Sequence, residues 1–419
     1  MARNSRTPAT GWQRNLWVIA IAELLTLMAF QASFVLIPYF IRELGVTDLR
    51  AVADWTGAFQ SVGAISFAIS TPIWGMLGDK YGRKLMLVRA MIATTVVLLL
   101  LGMVRTPTQL LILRVLQGCT TGTPAAAQAL VATAAPKKQL AYALGIIQTA
   151  LYAGMSLGPM LGGLTADWLG YRSTFFMAAL LCLIALLVTA ILATEPERDQ
   201  EESPAALARG REGWRALLRS PVAATLIGLV LVVNLAYGLV GPALPIRVQE
   251  LVANPERVAS VAGVVTGATA LTGALAAMLI GRLGDRLGYQ RILAICVVGA
   301  GVLFVPQAFV GTTLLLGLLR AIQGLFQGGL APTLAATLVS NGPRGREGAL
   351  LGLSSSASSI GGAIGPALGA IAMRSMTAGS VFLLPALAMA AVAAALAIVA
   401  RAKPAPRRAA ARDPVTGAS

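Results

Sequence analysis

Very few side chains in this 419-residue chain are placed to do chemistry. Glu23 is the one acidic residue well inside an apolar run, and Arg114 and Arg320 are the basic residues that lie inside such runs. A charge at the centre of a membrane helix costs about 2.5–3.5 kcal/mol on insertion scales, so each of these needs a partner, water or a function. The chain has no histidine, so a proton relay must use carboxylates. A buried carboxyl group is suited to exchanging protons near neutral pH, which makes Glu23 the candidate proton carrier. The competing reading is a carboxylate facing a wet vestibule without any coupling role. Arg114 has Gln117 one turn on and needs a partner, for which Glu23 is the obvious candidate. Counting from the helix ends, however, puts Glu23 nearer one surface and Arg114 nearer the other, so contact through Gln31 or water is the alternative. Arg320, followed by Gln323, reads as structural. No nucleophile–base pair, metal-ligand cluster or phosphate-binding loop is present, which excludes the common enzyme classes and ATP as an energy source.

The elements that must hold these residues are membrane helices. Mean hydropathy is +0.76, with 57% hydrophobic and only 12% charged residues, and the apolar residues fall in long uncharged runs. Twelve spans can be drawn: 15–40, 55–76, 85–104, 108–134, 141–166, 172–193, 222–248, 259–281, 291–310, 312–339, 348–374 and 379–400. Of the 33 Lys and Arg residues, 24 fall in the segments on the side of the N-terminus and seven in the opposite connections. That asymmetry predicts cytoplasmic termini in a multi-pass protein of the cytoplasmic membrane. The net charge of +16 comes from these connections and not from one amphipathic face, so nucleic acid is not the expected partner; the lipid bilayer is. Cys119, Cys182 and Cys296 all lie inside apolar runs and make no disulfide framework. The first run is too long for a cleavable signal peptide. The expected organisation is a first bundle over 1–193, a cytoplasmic linker over 194–220, a second bundle over 221–400, and a tail over 401–419 whose composition predicts disorder.

Two short charged turns between apolar runs organise the rest. The first reads Gly75-Met76-Leu77-Gly78-Asp79-Lys80-Tyr81-Gly82-Arg83-Lys84, and the second runs from Gly281 through Asp285 and Gly288 to Arg291. Glycines allow close backbone approach there, and an Asp followed by basic residues makes a compact charge lock. The turns belong to a longer repeat. Pro38 pairs with Pro245, Asp79 with Asp285, Arg114-x-x-Gln117-Gly118 with Arg320-x-x-Gln323-Gly324, and Gly158-Pro159 with Gly365-Pro366, all at an offset of 206 or 207 residues. Two six-helix halves in parallel orientation follow.

On the signature Gly75-x-x-x-Asp79-Lys80-x-Gly82-Arg83-Lys84, the chain resembles the major facilitator superfamily over nearly its whole length. The resemblance implies an all-α membrane protein of twelve transmembrane helices in two pseudo-symmetric six-helix bundles, rocking about a central cavity. It implies gating roles for Gly75, Asp79, Gly82, Arg83 and Asp285. Asp79 is expected against the N-terminus of the eleventh helix near Gly348, where the helix dipole favours an anion. The resemblance also ties Arg114 to proton movement. The run Gly154-Met155-Ser156-Leu157-Gly158-Pro159-Met160-Leu161-Gly162-Gly163 resembles the antiporter motif of drug–proton exporters in that superfamily, carried by Gly154, Gly158, Pro159, Gly162 and Gly163. Physically it is also a small-residue packing face that Pro159 lets kink. One departure stands out. Exporters often follow the fourth span with an acid that answers the basic residues of the signature, whereas this chain has Pro136-Lys137-Lys138-Gln139. Arg83 is therefore expected to close on something else, such as backbone carbonyls.

The resemblance puts the first, fourth, seventh and tenth helices around the cavity, with Phe30, Gln31, Phe34, Gln117, Asn234, Tyr237, Gln323, Phe326 and Gln327 as its polar or aromatic members. Because most are uncharged, lipophilic, neutral or weakly cationic compounds suit it better than phosphorylated ones. The serine cluster Ser354, Ser355, Ser356, Ser358 and Ser359 either lines the cavity or bonds carbonyls of its own helix. The expected function is proton-coupled efflux of small amphipathic compounds by a monomer that uses the proton gradient and no cofactor. Export of a specific metabolite, such as an amino acid or sugar, is the alternative.

Overall fold

The computed structural model describes residues 11–136, 139–195, 221–341 and 347–401. Fourteen α-helices lie among them. In chain order they are α1 (Gly11–Phe34), α2 (Ile37–Glu43), α3 (Leu49–Tyr81), α4 (Arg83–Met103), α5 (Pro107–Thr120), α6 (Thr123–Ala134), α7 (Leu140–Leu169) and α8 (Tyr171–Leu192). The second half holds α9 (Pro221–Leu251), α10 (Val258–Leu287), α11 (Tyr289–Phe309), α12 (Thr313–Asn341), α13 (Glu347–Ala372) and α14 (Leu383–Arg401). Nine helices among the described residues are long and apolar enough to cross a membrane by length and composition. The small- and polar-residue-rich α3 and α13, and the broken pair α5–α6, complete the twelve crossings. Large side chains such as Trp168, Ile191, Phe309 and Leu314 point outward, as a lipid-facing surface requires.

The two charged stretches expected as turns are mostly helix: α3 runs on through Tyr81 and α4 starts at Arg83, α10 runs on through Leu287 and α11 starts at Tyr289, so each reversal takes a single glycine. Gly82 (φ 114°) ends α3 and starts α4, Gly170 (φ 85°) does so for α7 and α8, and Gly288 (φ 90°) for α10 and α11. A residue with a Cβ is strained at such angles, which is why the reversal takes a glycine. Of the linker expected over 194–220 and the tail expected over 401–419, residues 196–220 and 402–419 lie outside the described residues.

The repeat in sequence is a repeat in packing. α1 lies on α7 as α9 lies on α13, α3 on α5 as α10 on α12, and α4 on α8 as α11 on α14. Lipid offers no hydrophobic drive for helix association, so close backbone contact takes its place. Gly154 and Gly158 of α7 face the α1 backbone, where an added Cβ would sit 2.9 Å from the Leu24 carbonyl and 2.6 Å from that of Met28. Gly361 and Gly365 of α13 meet Leu231 and Leu235 of α9 in the same way. Between the halves, α7 packs on α10 and α3 on α13, with Gly163 against the Ala259 backbone and Gly57 against Pro366.

Candidate functional site

The halves are joined toward the end that carries α2. There the Tyr39 hydroxyl donates to the Pro245 carbonyl (2.8 Å), and Arg374 donates twice to Asp54 (3.0 and 3.2 Å). Asp167, near the C-terminus of α7, accepts from the backbone N–H groups of Ala259 (3.2 Å) and Ser260 (2.9 Å) in the first turn of α10. A carboxylate at a helix N-terminus gains from the exposed donors and the helix dipole. Nearer mid-membrane, Ser156 donates to the Gly267 carbonyl. These contacts between the halves lie between this sealed end and the middle.

Just inside the seal is a cavity of about 230 Å³ between α1, α3, α9, α10 and α12. Gln31, Phe34 and Tyr237 line it, as do Gln60, Thr266 and Arg320, together with apolar groups such as Val240 and Leu244. The other residues expected there are placed elsewhere. Phe30 stacks on Phe34 (5.5 Å between rings), and Gln117 is buried against Arg114. Gln323 is buried between Arg320, Gln307 and the Ala300 carbonyl. Asn234 donates to the Val230 carbonyl of its own helix, and Phe326 packs against Gly299 of α11. Gln327 also lies off this cavity, with its side-chain oxygen buried and unpartnered. Of the serine cluster, Ser356 and Ser359 bond carbonyls one turn back on α13. Gln60 and Thr266 were not legible as cavity residues because nothing in an apolar run marks which face points inward.

Arg114 is buried and does not meet Glu23. Its Nε donates to the Phe59 carbonyl (3.2 Å) and its Nη1 to Gln117 Oε1 (2.6 Å). The rings of Phe59, Phe34 and Phe30 lie 4.8, 5.1 and 5.4 Å from the guanidinium, near enough for cation–π attraction. Gly63 leaves the room, since a Cβ there would fall on the Arg114 guanidinium. Glu23 sits about 10 Å further along α1 from Phe30, at a rise of about 1.5 Å per residue. It is fully buried, and among the described residues neither carboxyl oxygen has a hydrogen-bond partner. The Thr123 hydroxyl at the start of α6 and the Cys182 thiol are near enough to interact with it electrostatically, outside hydrogen-bond geometry. The expected direct pair is thus replaced by two separate buried groups.

The fourth crossing, expected as one span over 108–134, is broken between α5 and α6. Gly122 has φ 137°, and Pro124, lacking an N–H, fits the first turn of α6. The break frees carbonyls at the end of α5, and neighbouring side chains take them up. Ser70 donates to Gly118 (3.0 Å), Trp74 Nε1 to Cys119 (2.6 Å) and Arg89 to Thr120 (2.7 Å), with the Arg89 guanidinium 3.4 Å above the Trp74 ring. At the same end Arg83 donates to the Ala129 carbonyl of α6 (2.7 Å), a backbone partner of the kind the missing acid called for. An acid is nevertheless present, from a part of the chain not considered for this role. Glu195, just beyond α8, accepts from the backbone N–H groups of Arg83 (2.8 Å) and Lys84 (2.6 Å) and caps α4. Gly75 and Asp79 fall within α3, Asp285 within α10 and Gly348 within α13, but the side chains of Asp79 and Asp285 and the surroundings of the two glycines lie outside what the structure describes.

The family model of the Major Facilitator Superfamily matches residues 19–252 and 226–418. Multidrug resistance protein MdtG of Escherichia coli O81 (strain ED1a) is 34% identical over 379 residues, spanning 90% of this chain and 92% of that protein. MdtG of Klebsiella pneumoniae (strain 342) is 33% identical over 378 residues, 90% of each chain. Among solved structures, the nucleoside transporter NupG superposes with a TM-score of 0.76 at 15% identity, covering 91% of this chain and 99% of that one. A bacterial homolog of the human lysosomal transporter Spinster, inward-facing and unoccupied, gives 0.69 at 17% identity, covering 94% and 96%. At these identities the two structures speak for the fold alone. Twelve helical crossings arranged as two repeated bundles, a cavity between them and a family match over both halves make this chain a member of the Major Facilitator Superfamily, a multi-pass membrane transporter and not an enzyme.

Proposed function

We propose that this transporter exports small amphipathic, drug-like compounds in exchange for protons, by alternating access. The observation that carries the reading is the 34% identity to MdtG multidrug resistance proteins over 90% of the chain. Support comes from the cavity, whose walls are largely apolar with a few polar groups, as such sites usually are. Under the orientation that the Lys and Arg distribution favours, the sealed end is the outer one. Both termini are then cytoplasmic, in a monomer of the cytoplasmic membrane that needs neither cofactor nor nucleic acid.

Glu23 carries the proton in this reading. Its burial without a partner supports the assignment, because a buried, unpaired carboxylate is expensive whereas the neutral acid is not. Its position beside Thr123, next to the break in the fourth crossing, puts proton uptake where a helix can change shape. The test is uptake of a panel of dyes and antibiotics into inverted membrane vesicles, with and without an uncoupler. Accumulation that collapses with the proton gradient is expected. Accumulation indifferent to the uncoupler would remove proton exchange from the reading, and transport of none of the panel would remove drug export.

A further inference from the structure

Arg114 and Arg320 occupy equivalent places in the repeat, and each is buried and donates to the Gln three residues on, yet the rest of their surroundings differs. Around Arg114 the N-terminal half builds a closed cage from Phe30, Phe34 and Phe59. At the repeat offset of 206 or 207, the second half has Tyr237 for Phe30, Gly241 for Phe34 and Val265 for Phe59. Two of the three rings are therefore gone, and the third has gained a hydroxyl. The backbone anchor is also lost. Arg114 Nε reaches the Phe59 carbonyl across Gly63, but the counterpart of Gly63 is Thr269. The Thr269 hydroxyl itself donates to the Val265 carbonyl (2.8 Å), so the equivalent acceptor is taken.

The consequences are visible at Arg320. Its Nη1 donates to Gln323 Oε1 (3.0 Å), while its Nε is buried with no partner among the described residues. Among the described residues the Tyr237 hydroxyl is likewise buried without a partner. Both side chains line the same cavity of about 230 Å³, which has no acidic residue in its wall. Among the described residues no carboxylate pairs with Arg320. Buried donors left unmet are costly, and here two of them belong to side chains that line one space, one bearing a full positive charge.

We propose that Arg320 and Tyr237 form a donor pole that receives an acceptor-bearing head group, preferably an anionic one such as a carboxylate, of an amphipathic substrate. Its apolar body lies along Phe34, Val240 and Leu244. The pole selects against ammonium head groups, because the wall offers them a like charge and no acid to pair with. This inference rests on the transport reading above and reverses the expectation of weakly cationic cargo that an uncharged cavity would support.

The experiment is isothermal titration calorimetry of the purified full-length protein in lipid nanodiscs. The probes share one apolar body: 2-naphthoate, 2-naphthamide and 2-naphthylmethylammonium. Naphthoate should bind tightest and the ammonium weakest. Arg320→Gln should weaken naphthoate about tenfold, equivalent to ~1.4 kcal/mol, and leave the ammonium unchanged or improved. Tyr237→Phe keeps the ring and its packing on Phe304, so it tests the pole without threatening the fold. It should weaken naphthoate and naphthamide by about fivefold. Preference for the ammonium, no binding of any probe at millimolar concentration, or unchanged naphthoate affinity in the Tyr237→Phe protein overturns the proposal. Binding is measured without a gradient, so it stands or falls separately from proton coupling in the vesicle assay.

Discussion

If the two bundles rock as proposed, the bonds at the sealed end set how often it opens, and they are not equal. Asp167→Asn keeps the shape but removes the charge and one of the two acceptors now serving Ala259 and Ser260. An anion at a helix N-terminus contributes about 0.3–1 kcal/mol when exposed and up to about 2 when partly buried. Asp167 is half-buried against α10, so its loss should cost about 1–2 kcal/mol and shift the closed-to-open ratio by roughly 5–30-fold. The Arg374–Asp54 pair has better geometry on paper, with two hydrogen bonds, but its side chains are 62% and 35% exposed. Exposed pairs contribute about 0–1 kcal/mol, so Asp54→Asn should shift the ratio by no more than about fivefold. The assay is pulsed electron spin resonance between labels at Arg50 and Ser375, both exposed at this end, in a background lacking Cys119, Cys182 and Cys296. The longer-distance population should grow more in Asp167→Asn than in Asp54→Asn. The opposite order would refute the argument that burial and the helix terminus make Asp167 the principal seal.

Three further outcomes follow from named contacts. Glu23→Gln keeps the shape of a fully buried side chain; gradient-driven efflux should be lost while probe binding by calorimetry stays within about threefold, and wild-type efflux would take the proton role away from Glu23. Gly158→Leu forces a side chain onto the Met28 carbonyl, where even a Cβ would stand at 2.6 Å. The variant should reach the membrane, as fractionation and immunoblotting will show, but transport at under about a tenth of the normal rate, since overpacking of this kind costs about 1–3 kcal/mol or more. Glu195→Ala strips the cap from the first N–H groups of α4. Thermal unfolding in detergent should register a loss of about 0.5–2 kcal/mol, and an unchanged midpoint would show that water replaces the cap at no cost.

The sequence by itself determined the crossings, the repeat and the family, because these follow from patterns along the chain. Long apolar runs must be helices in lipid, a turn of a few residues must reverse direction, and Gly82 and Gly288 recur 206 residues apart where only glycine is at ease. The glycine stripe ending at Gly162 and Gly163 was legible for the same reason, since spacing of four puts small residues on one helix face. What only the tertiary structure decided depends on neighbours far away in the chain. Gly122 read as one more small residue in an apolar run, and the break there is sustained by Ser70, Trp74 and Arg89 from two other helices. Glu195 lies over a hundred residues from the N–H groups it caps. Glu23 and Arg114 looked like partners because charges in lipid seek each other, but aromatic rings, a backbone carbonyl and Gln117 satisfied the arginine first. The contrast between Arg114 among its rings and Arg320 beside the cavity was written in the repeat as Phe34 against Gly241 and Gly63 against Thr269. It became meaningful only once folding brought those positions, from separate helices, around each guanidinium.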